Sequence, residues 1–443
     1  MNTSRFVLRR TCPALLVAAL LAGLVPFSAH AQRAEDKPSP PEAPVRVELK
    51  FDFGRGPARP GFTRVPAGTL YADELGYGFD FGSKSVDLER AVTTNGSLFF
   101  FSAKVPEGNY RITATLGDSK GESRVTIRTE AARLMIADLA TKPGQTVTRT
   151  FTANVRRPQL PAPPPNAPGA SIVHMFLAGE AESRTWDDRL TIEFNGARPC
   201  LQSLEIVKDD TAPTLFVAGD STVGDPHRGG PGGNWPTQLC QFLKPTIALC
   251  NAAEGGETSK SFITGARFDK VLSQMKPGDF LLVQFGHNDS KPQWPQSYTE
   301  PATTFKAYLG VYLAETRRRG ATLVLVTPME RRANGDTVGA WARAMREFAA
   351  ENKVPLVDQW TASKQLWTAM AGDVGEAFTD QTHLSGYGGY LLARLMAANI
   401  RKNVPALASF IVDDFVEMPP ARPAEPPAYL KQSSGPKPTT PVP

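Results

Sequence analysis

A chain of 443 residues with 41% hydrophobic and 21% charged side chains is too long for one ordinary core and has globular composition, which excludes a low-complexity or disordered class. The formal net charge is +5, and residues 1–31 hold three arginines and no carboxylate, so their removal leaves +2. So small a surplus gives no reason to expect a nucleic-acid partner.

Residues 1–31 have the three parts of an export signal: Arg5, Arg9 and Arg10, an apolar run over 14–25, and the small-residue exit Ala29-His30-Ala31. The apolar run is shorter than the roughly 20 residues needed to span a bilayer. Cleavage before Gln32, a periplasmic or extracellular location and no membrane association afterwards are therefore expected. Three cysteines then remain, at 200, 240 and 250, which permit at most one bridge; Cys240 and Cys250 can be bonded to each other or be buried free thiols. No Cys/His cluster has metal-ligand spacing, so neither a metal nor another cofactor is expected.

Residues 32–44 read as a proline-rich linker and 413–443 as a proline-rich disordered tail. Between them the pattern changes near 210. Over 45–208 the period is two: Val45, Val47, Leu49, Phe51 and Phe53 alternate with polar residues, and Tyr110, Ile112, Ala114 and Leu116 repeat the pattern. Further strand runs fall at 97–104, 124–129, 146–155, 190–194 and 204–207, with a proline-rich surface loop over 157–170. This segment is expected to be an all-β sandwich.

Over 209–412 apolar strand runs at 214–218, 247–251, 280–285, 323–327 and 356–357 alternate with amphipathic helices at 235–243, 268–275, 305–319, 340–352 and 387–403. This βαβ alternation predicts a parallel sheet covered by helices on both faces, with its site at the carboxyl ends of the strands.

Four polar signatures sit in the strand-to-helix connections: Gly219-Asp220-Ser221-Thr222, Gly255-Gly256, Gly286-His287-Asn288-Asp289 and Asp380-Gln381-Thr382-His383. Ser221 is the candidate nucleophile, although a serine there can equally cap a helix. A serine hydroxyl needs a base at neutral pH. After signal removal four histidines remain, at 174, 227, 287 and 383, and His383 alone has an aspartate three residues before it. Asp380 can accept from its Nδ1 and fix the tautomer. The backbone N–H groups of Ser221 and Gly256 and the side-chain amide of Asn288 are candidate oxyanion donors, each typically worth about 10²–10³ in rate. His287, Trp235, Trp294, Arg331 and Arg332 are candidate substrate contacts, since aromatics stack on sugar rings and arginines pair with carboxylates. Against this, tryptophans are as often core and a histidine beside Asn288 can simply hold the loop.

These blocks resemble the SGNH, or GDSL-type, hydrolases, whose signature residues correspond here to Ser221, Gly256, Asn288 and His383, with Asp380 completing a triad. Gln284-Phe-Gly-His-Asn-Asp289 and Asp380-Gln-Thr-His-Leu-Ser-Gly386 are similar to the rhamnogalacturonan acetylesterases within that group. The resemblance covers about 211–405 and implies a flavodoxin-like three-layer α/β/α domain that removes acetyl groups from a pectic polysaccharide. Glu257 and Thr258 depart from it, standing where related enzymes often have Arg and Ser. Phe51-Asp-Phe-Gly54 and Gly76-Tyr-Gly-Phe79 resemble a galactose-binding-like sandwich. The expected partner is an acetylated polysaccharide or oligosaccharide, and the competing readings are an acetylxylan or other carbohydrate esterase, a lipase or thioesterase on the same scaffold, and a non-catalytic glycan-binding protein.

Overall fold

The computed structural model describes residues 46–94, 98–130, 132–161, 173–175, 177, 180–226 and 233–432. The expected export signal and linker, most of the loop over 157–170, and His227 lie outside them.

Among the described residues, the predicted strand runs before residue 210 build two sheets around one core, joined by the short strands Thr63–Val65, Tyr77–Asp80, Val86–Asp87 and Val92–Thr93, which the runs did not include. One sheet is ordered Val147–Val155, Gly108–Leu116, Leu201–Lys208, Glu48–Phe53, Thr63–Val65, with the short pair Val86–Asp87 and Val92–Thr93 joined to the third of these. The other is ordered Tyr77–Asp80, Phe99–Lys104, Arg189–Arg198, Ser123–Thr129, Arg133–Thr141. Alternation decides which side chains enter: Tyr110, Ile112, Ala114 and Leu116 are fully buried, and they meet Phe51, Phe53, Phe101 and Ile192 in the common core.

The strand Arg133–Thr141 has no counterpart in the period-two reading. Its register on Ser123–Thr129 shifts twice and Asp138 adopts a φ of +48°, so its alternation is broken. Met135 packs against both this core and one core of the following layer.

A turn closed by Asp209, whose Oδ1 accepts from the backbone of Thr211 and Ala212, leads directly into the α/β layer. Five parallel strands are ordered Ala248–Asn251, Thr214–Gly219, Phe280–Gln284, Thr322–Val326, Leu356–Val357. In chain order this is 2-1-3-4-5, the flavodoxin-like arrangement. Successive residues enter opposite cores, which is why these strands read as continuous apolar runs. Leu215, Val217 and Leu282 join the core under Trp235–Leu239, Gln359–Met370 and Gly386–Asn403, whereas Phe216, Leu281 and Val283 join the core under Arg267–Gln274, Lys306–Arg318 and Gly339–Asn352.

The sandwich and the α/β layer belong to one compact unit. Across their boundary Asn109 Nδ2 donates to Thr214 Oγ1 at 2.9 Å and Thr152 Oγ1 to the Pro245 carbonyl at 2.7 Å. One expectation needs correction. Residues 413–432 are not a disordered tail: Phe415, Met418 and Tyr429 are buried, the Tyr429 hydroxyl donates to Gln238 Oε1 at 2.9 Å, and the Tyr387 hydroxyl donates to the Ala424 carbonyl at 2.7 Å. Of the two states left open for Cys240 and Cys250 the structure has the buried free thiols, and Cys200 is likewise free and buried.

Candidate active site

The first parallel strand must end in glycine, because a Cβ at Gly219 would lie 2.8 Å from the Val223 side chain. Asp220 then makes the turn: its buried Oδ1 accepts from the Thr222 N–H at 2.9 Å and from the Thr222 hydroxyl at 2.7 Å, while its carbonyl accepts from Val223 and Gly224. Burial pushes the Asp220 carboxyl up, but His287 and the two Thr222 donors outweigh it and hold the group below the usual carboxylate range. The result is a rigid turn that presents Ser221 at the carboxyl edge of the sheet.

His383 reaches that edge from the connection before the last long helix, which Ser385 caps by accepting from Gly388 N–H. Its Nε2 lies 2.9 Å from Ser221 Oγ, and its Nδ1 lies 2.7 Å from Asp380 Oδ2. Asp380 Oδ1 accepts from the backbone N–H groups of Thr382 at 2.6 Å and His383 at 2.7 Å. Desolvation raises the Asp380 pKa, yet these backbone donors and the His383 ring pull it down to about 2. A carboxylate facing Nδ1 requires the imidazole proton there, which leaves Nε2 as the acceptor for the serine hydroxyl.

The second and third signatures adjoin one another. A Cβ built on Gly255 would sit 3.8 Å from Ser221 Cβ, and Gly256, at φ +84°, has open space around it. Asn288 Nδ2 donates to the Glu257 carbonyl at 2.9 Å, and Lys291 Nζ donates to Asn288 Oδ1 at 2.6 Å. Asp289 ties the two loops from below, accepting from Ser259 N–H at 3.1 Å, Ser259 Oγ at 2.6 Å and Thr299 Oγ1 at 3.0 Å. Glu257, in the position that departs from the resemblance, accepts from Ser261 Oγ at 2.5 Å and faces Arg267 Nε at 3.5 Å; desolvation raises its pKa.

Desolvation also raises Asp289 to about 6, against the pull of its three donors. An unfolded aspartate titrates near 4, so the fold favours the protonated acid. Stability from this group is full below pH ~4 and declines as pH rises through about 6, by about 3 kcal/mol in all. Asp289→Asn should therefore flatten the dependence of Tm on pH between about 4 and 7. An unchanged slope in the variant would remove Asp289 as its source.

Two expected substrate contacts are corrected. Trp235 is fully buried, with Nε1 donating to Gln284 Oε1 at 3.0 Å, and Gln284 Nε2 in turn donates to Thr222 Oγ1 at 3.3 Å. His287 is 2% exposed, donates from Nε2 to the Met329 carbonyl at 3.0 Å, and sets Nδ1 3.4 Å from Asp220 Oδ2. Both brace the serine turn from beneath. Trp294, by contrast, is 53% exposed on the loop after Asn288. The half-buried Arg331 donates to the His287 carbonyl and to Thr337 Oγ1, and the backbone N–H of Arg332 donates to the Gln381 carbonyl beside Asp380.

Two asparagines escaped the sequence reading. Asn234 Nδ2 donates to the carbonyls of Ser221 and Gly224, each at 2.8 Å, and Asn251 Nδ2 donates to the Val223 carbonyl at 2.9 Å. The one signal was the place of Asn251 at the carboxyl end of a parallel strand.

Residues 217–389, a stretch that contains all four signatures, match the GDSL-like lipase/acylhydrolase family. A probable rhamnogalacturonan acetylesterase of Bacillus subtilis, YesY, is 34% identical over 44% of this chain and 97% of its own. The chain belongs to the GDSL-like lipase/acylhydrolase family. Like others of this family it is a carboxylic ester hydrolase. Rhamnogalacturonan acetylesterase RhgT of the same organism is 32% identical over 42% of this chain and 89% of its own. An uncharacterized esterase, YxiM, also from Bacillus subtilis, is 26% identical over 80% of this chain and 90% of its own.

Proposed function

We propose that the protein is an exported carbohydrate O-acetylesterase that deacetylates rhamnogalacturonan through an acetyl-serine intermediate. The observation that carries this reading is the unbroken hydrogen-bonded series Ser221 Oγ, His383 Nε2, His383 Nδ1, Asp380 Oδ2 at a strand edge beside Gly255. Ser221 Oγ attacks the acetyl carbonyl while His383 Nε2 takes its proton. The tetrahedral oxyanion falls to the N–H groups of Ser221 and Gly256 and to the Asn288 amide, whose second N–H is not needed for Glu257. Collapse returns the proton from His383 to the departing sugar oxygen. Water, activated by the same Nε2, then releases acetate and restores Ser221.

The sugar assignment is supported by the names of the relatives YesY and RhgT and by the chemistry of the surroundings. Trp294 offers an exposed face to a pyranose ring, and Lys291, Arg331 and Arg332 offer positive charge to a uronate carboxylate. Export is supported by the arginine-apolar-small pattern of residues 1–31.

The test compares acetate release from acetylated rhamnogalacturonan and from acetylated xylan. Rhamnogalacturonan should react at least about tenfold faster in kcat/KM, the effect of one well-made polar contact of roughly 1.4 kcal/mol. Equal rates would remove the pectic assignment and leave the esterase standing.

A further inference from the structure

Ser221 is held by more than its own layer. Four residues after it lies Asp225, only 7% exposed, and onto its carboxylate converge two arginines of the sandwich. Arg156 Nη2 lies 2.8 Å from Asp225 Oδ2, and Arg133 Nη2 lies 3.4 Å from the same oxygen. Both guanidinium groups are buried, Arg133 in the strand Arg133–Thr141 and Arg156 just past Val147–Val155.

Each fork is fixed by further bonds. Arg133 Nη1 donates to the carbonyls of Asn154 at 2.9 Å and Leu249 at 3.3 Å. Arg156 Nε donates to the Thr185 carbonyl at 3.1 Å, and its guanidinium lies 4.2 Å from the centre of the Trp186 ring. The other oxygen of Asp225 accepts from Asn251 Nδ2 at 2.8 Å, the same amide that holds the Val223 carbonyl. Although burial pushes the Asp225 carboxyl up, Arg133, Arg156 and Asn251 outweigh it and keep it below the ordinary range. The carbonyls of Ser221, Val223 and Gly224 are thereby all taken by Asn234 or Asn251, and Asn251 is itself anchored by Asp225.

A joint needed only for adhesion is made at least cost by apolar packing, because buried ion pairs lose much of their attraction to desolvation. What such pairs do supply is direction, and these point at the turn that carries Ser221. We propose that Arg133 and Arg156 of the β-sandwich are positioning residues for Ser221, acting through Asp225 and Asn251, so that the sandwich completes the esterase site rather than being a separate module. The inference rests on the reading of Ser221 as nucleophile.

The experiment uses the full chain. Competent sites are counted by titration with a serine-directed phosphonate, and kcat and KM for 4-nitrophenyl acetate are expressed per titrated site, which discounts any unfolded fraction. Asp225→Asn and Arg156→Met should lower kcat per site by about ten- to hundredfold at similar KM, the scale of a small misplacement of a reacting group. Arg156→Lys, which keeps the charge and loses the fork, should recover only part of that loss. It also decides the matter if the harsher variants do not fold, for it should still fall about three- to tenfold below the wild type. Arg111→Ala, which removes an exposed arginine of the sandwich that faces Asp209, should match the wild type. A kcat per site within twofold of the wild type in every folded variant overturns the proposal. Ser221→Ala, assayed alongside, separates the two readings: substantial hydrolysis by it removes the nucleophile assignment itself, whereas an inactive Ser221→Ala with a fully active Asp225→Asn removes the positioning role alone.

Discussion

Ser221→Ala is expected to lower kcat for 4-nitrophenyl acetate by about 10⁵–10⁶, the scale at which a serine esterase loses its covalent route. The substitution deletes one oxygen and little else. Asp220, Thr222 and Asn234 hold the turn through groups that alanine retains, and Gly255 approaches the Cβ rather than the hydroxyl. Tm should therefore stay within about a degree or two, as for a side chain that contributes no buried contact. A residual rate of about 10³–10⁴ over the uncatalysed reaction should survive, because oxyanion donors and substrate binding act without the nucleophile. His383→Ala should fall by a similar factor, and combining the two should add little, since serine and base act as one unit. Retention of even one-tenth of the wild-type kcat would exclude Ser221 as the nucleophile.

The parts of this architecture that were legible in the sequence are those in which local pattern and burial coincide. The strands Thr214–Gly219, Phe280–Gln284 and Thr322–Val326 are buried on both faces, so they read as unbroken apolar runs, and the polar signatures that follow them stand out by contrast. Asp380 and His383 are neighbours in sequence, and a three-residue spacing across a turn sufficed to connect them. Residues whose partners are remote were not legible. Arg133, Arg156 and Asp225 meet through three separate segments, and each alone reads as an ordinary surface charge. The strand that carries Arg133 is rich in Leu, Met and Ala, and its bulges erase the alternation that would have marked it. The helix Gln359–Met370 has several weak helix formers and depends on Asp358, which accepts from Thr361 N–H at its start. Trp235 and His287 carry chemistry suited to a sugar, but Gln284 and Met329 engage them beneath the rim, and no local pattern encodes that depth. In 413–432 the abundance of proline suggested disorder, although proline forbids regular hydrogen bonding rather than packing, and Phe415 and Tyr429 are anchored in the core.

Asp380→Asn is expected to lower kcat by about 10⁴ with little change in KM, because it reverses the imidazole tautomer rather than removing a contact to substrate. The geometry leaves the amide one acceptable orientation. Two backbone N–H groups, of Thr382 and His383, point at the oxygen now called Oδ1, so the asparagine oxygen must stay there and its NH₂ must take the place of Oδ2. That NH₂ would then face His383 Nδ1, which becomes an acceptor and drives the proton to Nε2. Nε2, 2.9 Å from Ser221 Oγ, could no longer accept the serine proton. The Asp380 side chain is 54% exposed, so water screens its charge and control of the tautomer outweighs stabilisation of the imidazolium. In the wild type, with the carboxyl held at about 2, this control is in place throughout the neutral range and weakens only as pH falls toward that value. The acid limb of the kcat profile above pH ~4 should accordingly not be set by Asp380. A loss of less than about tenfold in Asp380→Asn would reduce the carboxylate to a cap for the Thr382–His383 turn and require another group to orient the base.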